Sequence, residues 1–320
     1  MKACNWGWIV CSAFIVSCNP MKSQSPSKLK GLGPEVIYGE DNRKDFYEIQ
    51  DRHWQELGLS TTALVDFRDL MENPSNPNEY LLKSKTYGQR FRLCEEEKFF
   101  QQPSVSFCSG FLVGPQTVVT AGHCLRNEYN CETVRFIFDY KIDSVKSEAS
   151  TIDKQNVFSC SKLIHTEVNA ISGRDFAIVR LDRVVEDYPP LPLRSGGELR
   201  MDEELTVIGY PSGLPLKWAD QGRLRNTLNP NFLITNLDTY GGNSGSAVFN
   251  SQSRLVEGIL VRGETDFVYD QASQCRRSKV CLPDSCRGED VVRISLIYEH
   301  LTPGDLMPLE QETSLFQEIK

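Results

Sequence analysis

Gly241-Gly242-Asn243-Ser244-Gly245-Ser246 sets one serine among glycines. Glycine permits backbone turns that a Cβ would obstruct and lets a second chain approach closely. Such a turn leaves the N–H groups of Gly242 and Ser244 able to converge on one point, where a developing oxyanion is stabilised. Taken alone, the stretch reads equally as a Gly/Ser loop. Its meaning depends on what else the chain supplies.

Two further stretches supply it. Val118-Val119-Thr120-Ala121-Gly122-His123-Cys124 runs a β-branched strand into a histidine flanked by small residues. Histidine is the side chain that most readily exchanges a proton near neutral pH, and the chain contains only 4. A lone histidine also serves as a hydrogen-bonded structural residue, so its company matters. Gly173-Arg174-Asp175-Phe176-Ala177-Ile178-Val179-Arg180-Leu181 places an acid at the mouth of an apolar strand. From there Asp175 can orient an imidazole and stabilise its charged form.

The rest of the chain reads as a frame of short strands. Thr61–Val65, Ser109–Val113, Thr117–Thr120, Val134–Phe138, Phe176–Leu181, Leu205–Ile208, Phe232–Thr235, Ser246–Phe249 and Leu255–Val261 are β-branched or alternating runs between turn signals. They predict an all-β barrel or sandwich with few long amphipathic helices. No repeat of fixed period is visible. Ser295 is expected to cap a short helix through Leu301, with a fraying tail from Thr302. Pro189, Pro190, Pro192 and Gly196-Gly197 mark a crossing between two halves. Glu264 to Asp290 reads as an inserted loop with three cysteines. At 320 residues, 40% hydrophobic and 24% charged, the composition is globular. A net charge of −8 gives no general attraction for phosphate backbones, so nucleic acid is not an expected partner.

The N-terminus reads as an export signal, residues 1–17. Lys2 precedes an apolar run from Trp6 to Val16, too short to span a bilayer. Ile15-Val16-Ser17-Cys18 resembles a bacterial lipobox, which makes Cys18 a lipidation site and a membrane-surface anchor. The alternative is an ordinary signal peptide with Cys18 incidental. Residues 18–35, rich in Pro, Ser and Gly, form a linker or propeptide. Eleven cysteines suit an oxidising compartment. Cys4, Cys11 and Cys18 belong to the signal and the anchor. Cys94, Cys108, Cys124, Cys131, Cys160, Cys275, Cys281 and Cys286 remain, an even number. A zinc site from Cys275, Cys281, Cys286 and His300 lacks any C-x-x-C pair and is not expected.

Taken together, Thr-Ala-Gly-His-Cys, Asp-Phe-Ala-Ile-Val-x-Leu and Gly-Asn-Ser-Gly-Ser, in that order, resemble the trypsin/chymotrypsin superfamily of serine endopeptidases. Gly241 to Asn250 and Val36 to Arg43 are similar to its bacterial glutamyl-endopeptidase (V8-like) branch. The resemblance implies two six-stranded antiparallel β-barrels of the chymotrypsin type, about 36–188 and 189–302, with a short C-terminal helix and a tail over 303–320. It implies a triad of Ser244, His123 and Asp175, an oxyanion hole at Gly242 and Ser244, protein or peptide substrates, and no metal or organic cofactor. It also implies a Cys108–Cys124 disulfide, beside which Cys131–Cys160 is a second expected pair. Cys94, Cys275, Cys281 and Cys286 should form two bonds whose pairing stays open. The protein is expected to be a monomer. Two departures matter. Asn243 stands where animal trypsins carry the Asp that pairs with a newly cut N-terminus. Leu260 stands where the V8-like branch carries the histidine that reads glutamate. Asp238, six residues before Ser244, stands where trypsins hold a pocket-floor acid. With Thr239, and with Gly263 as an open wall, it predicts cleavage after Arg or Lys; small uncharged residues are the alternative. A catalytically silent binding module of the same fold is the rival function. An esterase is disfavoured, because its nucleophile would lie in Gly-x-Ser-x-Gly and its histidine would come last.

Overall fold

The computed structural model describes residues 36–306 apart from Glu198, Asp202 and Pro283. The proposed signal and Cys18 lie outside the described residues. Twelve strands carry the architecture: β1 (Thr61–Asp66), β2 (Cys108–Gly114), β3 (Thr117–Thr120), β4 (Val134–Ile137), β5 (Val157–Val168), β6 (Asp175–Leu181), β7 (Glu204–Gly209), β8 (Lys217–Asn226), β9 (Phe232–Thr235), β10 (Ala247–Asn250), β11 (Val256–Arg262) and β12 (Glu289–Arg293). The first six close in the order β1-β2-β3-β6-β5-β4, with β4 pairing back to β1. The last six close in the order β7-β8-β9-β12-β11-β10, with β10 pairing back to β7. All these pairings are antiparallel, and the second barrel repeats the connectivity of the first strand for strand. The all-β double barrel expected from the sequence is the fold observed.

Successive side chains of a strand point to opposite faces, and the second barrel uses both. Leu205, Val207, Val248, Leu260 and Val291 fill its interior together with Leu224, Leu233 and Leu237. Their neighbours Ile208, Ala247, Phe249, Ile259 and Val292 join the larger core that runs from the first barrel. Nearly continuous apolar runs such as Val-Glu-Gly-Ile-Leu-Val are therefore what this sheet needs. An α-helix, α1 (Arg52–Leu59), is capped by Asp51, whose carboxylate accepts from His53 and Trp54 N–H groups. Trp54 on α1 packs edge-on against Trp218 and Phe249, closing one side of that shared core.

Three expectations change at the edges. The C-terminal helix is a 3₁₀ helix, Ile294–His300, whose N-cap is Arg293 rather than Ser295. The chain does not fray at Thr302: Asp305 is buried, accepts from Thr302 and pairs with Arg180 at 2.6 Å. Its main chain lies directly over Gly114, where a Cβ would meet Asp305 O at 2.0 Å. The stretch read as one inserted loop ends inside the second barrel, because Glu289 and Asp290 begin β12. Between β11 and β12 stand a hairpin, Phe267–Asp270 with Cys275–Ser278, and a short strand, Val280–Cys281, that pairs with Ile37–Tyr38. Lys44–Asp45 pairs with β8. The start of the described chain thus lies against the second barrel.

All eight cysteines among the described residues are bonded: Cys108–Cys124, Cys131–Cys160, Cys94–Cys275 and Cys281–Cys286. Cys275, Cys281 and Cys286 offer no thiolate, which rules out the zinc reading, and His300 stacks on His165 at 3.6 Å between ring centres.

Candidate active site

The first barrel brings His123 and Asp175 together through register. β3 and β6 are antiparallel with Thr120 opposite Ala177, so Asp175 lies beside the turn that follows Thr120. That turn, Gly122–Cys124, is a single 3₁₀ turn. A Cβ at Gly122 would strike Glu167 O at 2.1 Å and Phe176 O at 2.9 Å, so only glycine lets the turn sit down on β5 and β6. The Cys108–Cys124 bond fixes its far end to β2. Asp175 then grips His123 twice. One carboxylate oxygen accepts the His123 backbone N–H at 2.9 Å and the other faces Nδ1 at 2.9 Å. Engagement of Nδ1 leaves Nε2 to act on a neighbour. The other three histidines go elsewhere: His53 lies by Glu56, and His165 and His300 stack together against Phe176.

The second barrel presents Ser244 on the loop between β9 and β10. Gly242 and Gly245 adopt φ of +109° and +92°, a region side chains rarely enter. Both are also pressed against their surroundings. A Cβ at Gly242 would meet Tyr210 O at 2.8 Å, and one at Gly245 would meet Ser109 O at 2.0 Å and Thr120 Oγ1 at 2.4 Å. The loop is therefore wedged against β2 and the end of β3, the strand that leads to His123. Ser109, which sequence reasoning passed over, joins the barrels. Its N–H donates to Ser244 O at 2.8 Å, and its hydroxyl donates to Gly242 O at 2.8 Å and accepts from Tyr210 N–H. Ser244 Oγ itself donates to Val261 O at 3.5 Å.

The neighbouring amides point inward. Gly241 N–H donates to the Asp266 carboxylate, Asn243 N–H to Tyr240 O, Gly245 N–H to Leu260 O and Ser246 N–H to Asn243 O. The Asn243 side chain accepts from Ser246 Oγ at 3.2 Å, hard against Gly209. This neutral amide is already engaged at the position where trypsins form their N-terminal ion pair.

The specificity residues fall differently from the sequence expectation. Asp238 is buried, but its carboxylate faces the start of the described chain. One oxygen accepts Tyr38 N–H at 2.6 Å and the other Asn42 N–H at 3.3 Å. Burial pushes its pKa up to about 7 against the opposing pull of those two amides. Asp238 thus ties Val36–Asn42 to the loop. Thr239 and Gly263 do face each other, with the Glu289 carboxyl between them. Thr239 Oγ1 donates to Glu289 at 2.9 Å, and a Cβ on Gly263 would lie 1.6 Å from the same oxygen. Glu289 was hidden from sequence reasoning inside the supposed loop. Arg262 was missed too: it bonds Asp290 at 2.7 Å and Gly173 O at 2.9 Å and reaches within 3.9 Å of Asp175.

Residues 108–257 match the trypsin-like peptidase domain. A glutamyl endopeptidase of Staphylococcus aureus (strain MRSA252) is 26% identical over 166 residues, which cover 49% of this chain and 43% of the relative. Another, from strain MW2, is 25% identical and covered over 47% of its length. The chain thus spans less than half the length of these curated relatives. Among solved structures, a Glu endopeptidase in complex with MPD is 15% identical, with a TM-score of 0.46, over 82% of this chain and 96% of the other. The VesB protease of Vibrio cholerae is 16% identical, with a TM-score of 0.48, over 82% and 66%.

Proposed function

We propose that this chain, which carries a trypsin-like peptidase domain, is an exported serine endopeptidase. The observation that carries the reading is the two-point grip of Asp175 on His123 beside a loop whose glycines hold Ser244 against the strands that deliver His123. In this reading Ser244 Oγ attacks the scissile carbonyl while His123 Nε2 takes its proton. The oxyanion is received by the Gly242 and Ser244 amides, each such donor being worth roughly 10²–10³ in rate. His123 then protonates the departing amine. A water, deprotonated by the same nitrogen, attacks the acyl-enzyme and releases the second product. No step calls for a metal or organic cofactor. A silent binding module would have no need of this arrangement. A fluorophosphonate probe discriminates the two: the peptidase reading expects stoichiometric labelling of Ser244 and hydrolysis of denatured protein. A folded, unlabelled chain that cleaves nothing would leave the binding module.

For the residue before the scissile bond (P1), the proposal is Lys or Arg. The relatives are glutamyl endopeptidases, which speaks for glutamate in those proteins. Here the loop carries the half-buried Asp266 on Gly241 N–H and the buried Glu289 on the Thr239 hydroxyl, and a glutamate entering beside them would meet two acids.

Four disulfides support export. With export goes the proposal that Cys18 is lipidated and that residues 19–35 tether the domain to a bacterial membrane surface. Several acyl chains on one cysteine would hold it stably where a single chain would not. Metabolic labelling with a fatty acid should mark the wild type and spare Cys18→Ser. An unlabelled wild type with the same N-terminus as the variant would refute the anchor.

A further inference from the structure

Glu289 is fully buried at the first position of β12. Its Oε2 accepts the Thr239 hydroxyl at 2.9 Å and its Oε1 the Tyr38 hydroxyl at 3.4 Å. The oxygen bonded to Thr239 lies so close over Gly263 that no side chain could stand there. Thr239 is five residues before Ser244 on the nucleophile loop. Gly263 is two residues after Val261, whose carbonyl takes the Ser244 Oγ–H. The buried Glu289 carboxyl thus stands between the nucleophile loop and the strand whose carbonyl faces Ser244.

What this carboxyl lacks is a cation in direct contact. Arg287 spends its guanidinium on Asp290, at 2.5 Å, and Arg262 also binds Asp290. Arg225 is held by the carbonyls of Asp284, Ser285 and Cys286, and Lys279 by Glu264. Among the described residues no basic group forms an ion pair with Glu289; Arg287 eases its charge only from a distance, and Asp266 is an acidic neighbour that opposes it. A buried carboxyl with hydroxyl donors but no cation is costly. Accordingly its pKa is driven well above the ordinary carboxylate range, chiefly by burial. An incoming ammonium or guanidinium would supply the missing charge in a desolvated slot, where charge-assisted hydrogen bonds are strong. Asp238 cannot do this as placed, because both its oxygens face the amides of Tyr38 and Asn42.

We infer that Glu289, reaching into the cleft from β12 between Thr239 and Gly263, is the residue that selects Lys or Arg before the scissile bond, in place of Asp238. The inference rests on the peptidase reading. Its test is kcat/KM for peptides with Lys, Arg, Ala, Phe or Glu at P1, on wild type, Glu289→Gln and Asp238→Asn, alongside fluorophosphonate labelling of each protein. Glutamine keeps an oxygen for the Thr239 hydroxyl, removes the charge and turns an NH₂ group toward the Tyr38 hydroxyl, which can accept from it. Wild type should favour Lys and Arg. Glu289→Gln should lose about 10²–10³ on those peptides and gain on the Glu peptide, a gain that misfolding cannot produce. Asp238→Asn should keep the basic preference. A wild type that does not favour Lys or Arg would overturn the inference. So would a labelled Glu289→Gln that keeps the preference, or a preference lost in Asp238→Asn instead. Absence of labelling and of all hydrolysis in the wild type would overturn the peptidase reading, and this inference with it.

Discussion

Ser244→Ala is expected to lower turnover of every peptide substrate by about six powers of ten, with thermal unfolding unchanged. The Ser244 hydroxyl reaches Val261 O at 3.5 Å, a long contact. The loop is held instead by main-chain contacts that alanine retains, above all Ser109 N–H on Ser244 O at 2.8 Å. The Cβ stays, so packing stays. What disappears is the atom that attacks the carbonyl. Residual catalysis from oxyanion stabilisation and binding survives, which sets the floor. The measurement is kcat on one good substrate for protein free of host peptidases, with a melting curve beside it. Turnover within tenfold of wild type would sink the assignment of the nucleophile.

Asp175→Asn should cost about 10⁴ in kcat, with KM nearly unmoved. The carboxylate serves two donors at once: the His123 backbone N–H and, at Nδ1, the ring. An amide has one oxygen. If that oxygen keeps the backbone N–H, the NH₂ group faces Nδ1 and drives the ring proton onto Nε2, the nitrogen that must accept from Ser244. If the amide flips, the backbone turn loses its tie. The substitution does not strand a buried cation, because Arg262 keeps Asp290. Residues acting as one unit are not additive, so the Ser244→Ala/Asp175→Asn double variant should be no slower than Ser244→Ala alone. A further thousandfold loss in the double variant, or a single variant with normal kcat, would refute the shared role.

The barrels were legible where strands are short runs of apolar and β-branched residues. Thr117–Thr120 and Phe232–Thr235 coincide with the observed elements, because β-branched residues between turn signals leave little choice. β5, β8 and β12 were missed, β12 because its first two residues were read as the end of an inserted loop. Lys-Leu-Ile-His-Thr-Glu and Lys-Trp-Ala-Asp-Gln-Gly carry polar residues that their half-exposed faces tolerate, so no apolar run announces them. The duplicated connectivity left no sequence repeat, since a ladder closes on backbone groups and barely constrains which side chains it carries. His123 and Asp175 were legible because each ends a strand whose register carries it to the other. The pocket was not. Asp238 was chosen by its offset from Ser244, but offset along a loop does not fix direction, and Val36–Asn42 packs where the carboxylate points. Glu289 is 45 positions beyond Ser244 and meets Thr239 only because β12 lies beside β9.

The four disulfides bear on how the chain reaches this state. Three join cysteines 5, 16 and 29 residues apart, while Cys94–Cys275 spans 181. Eight thiols allow about a hundred pairings, and closing a short loop costs less entropy than closing a long one. The local three can therefore form while each neighbourhood is still being laid down. If the chain is exported as proposed, Cys94 must wait until Cys275 has crossed, and in that interval it is a live thiol beside already oxidised partners. Newly translocated molecules thus depend on a disulfide-exchange catalyst to undo premature bonds of Cys94, and the yield of mature protein becomes a readout of that compartment's isomerase rather than of its oxidant alone.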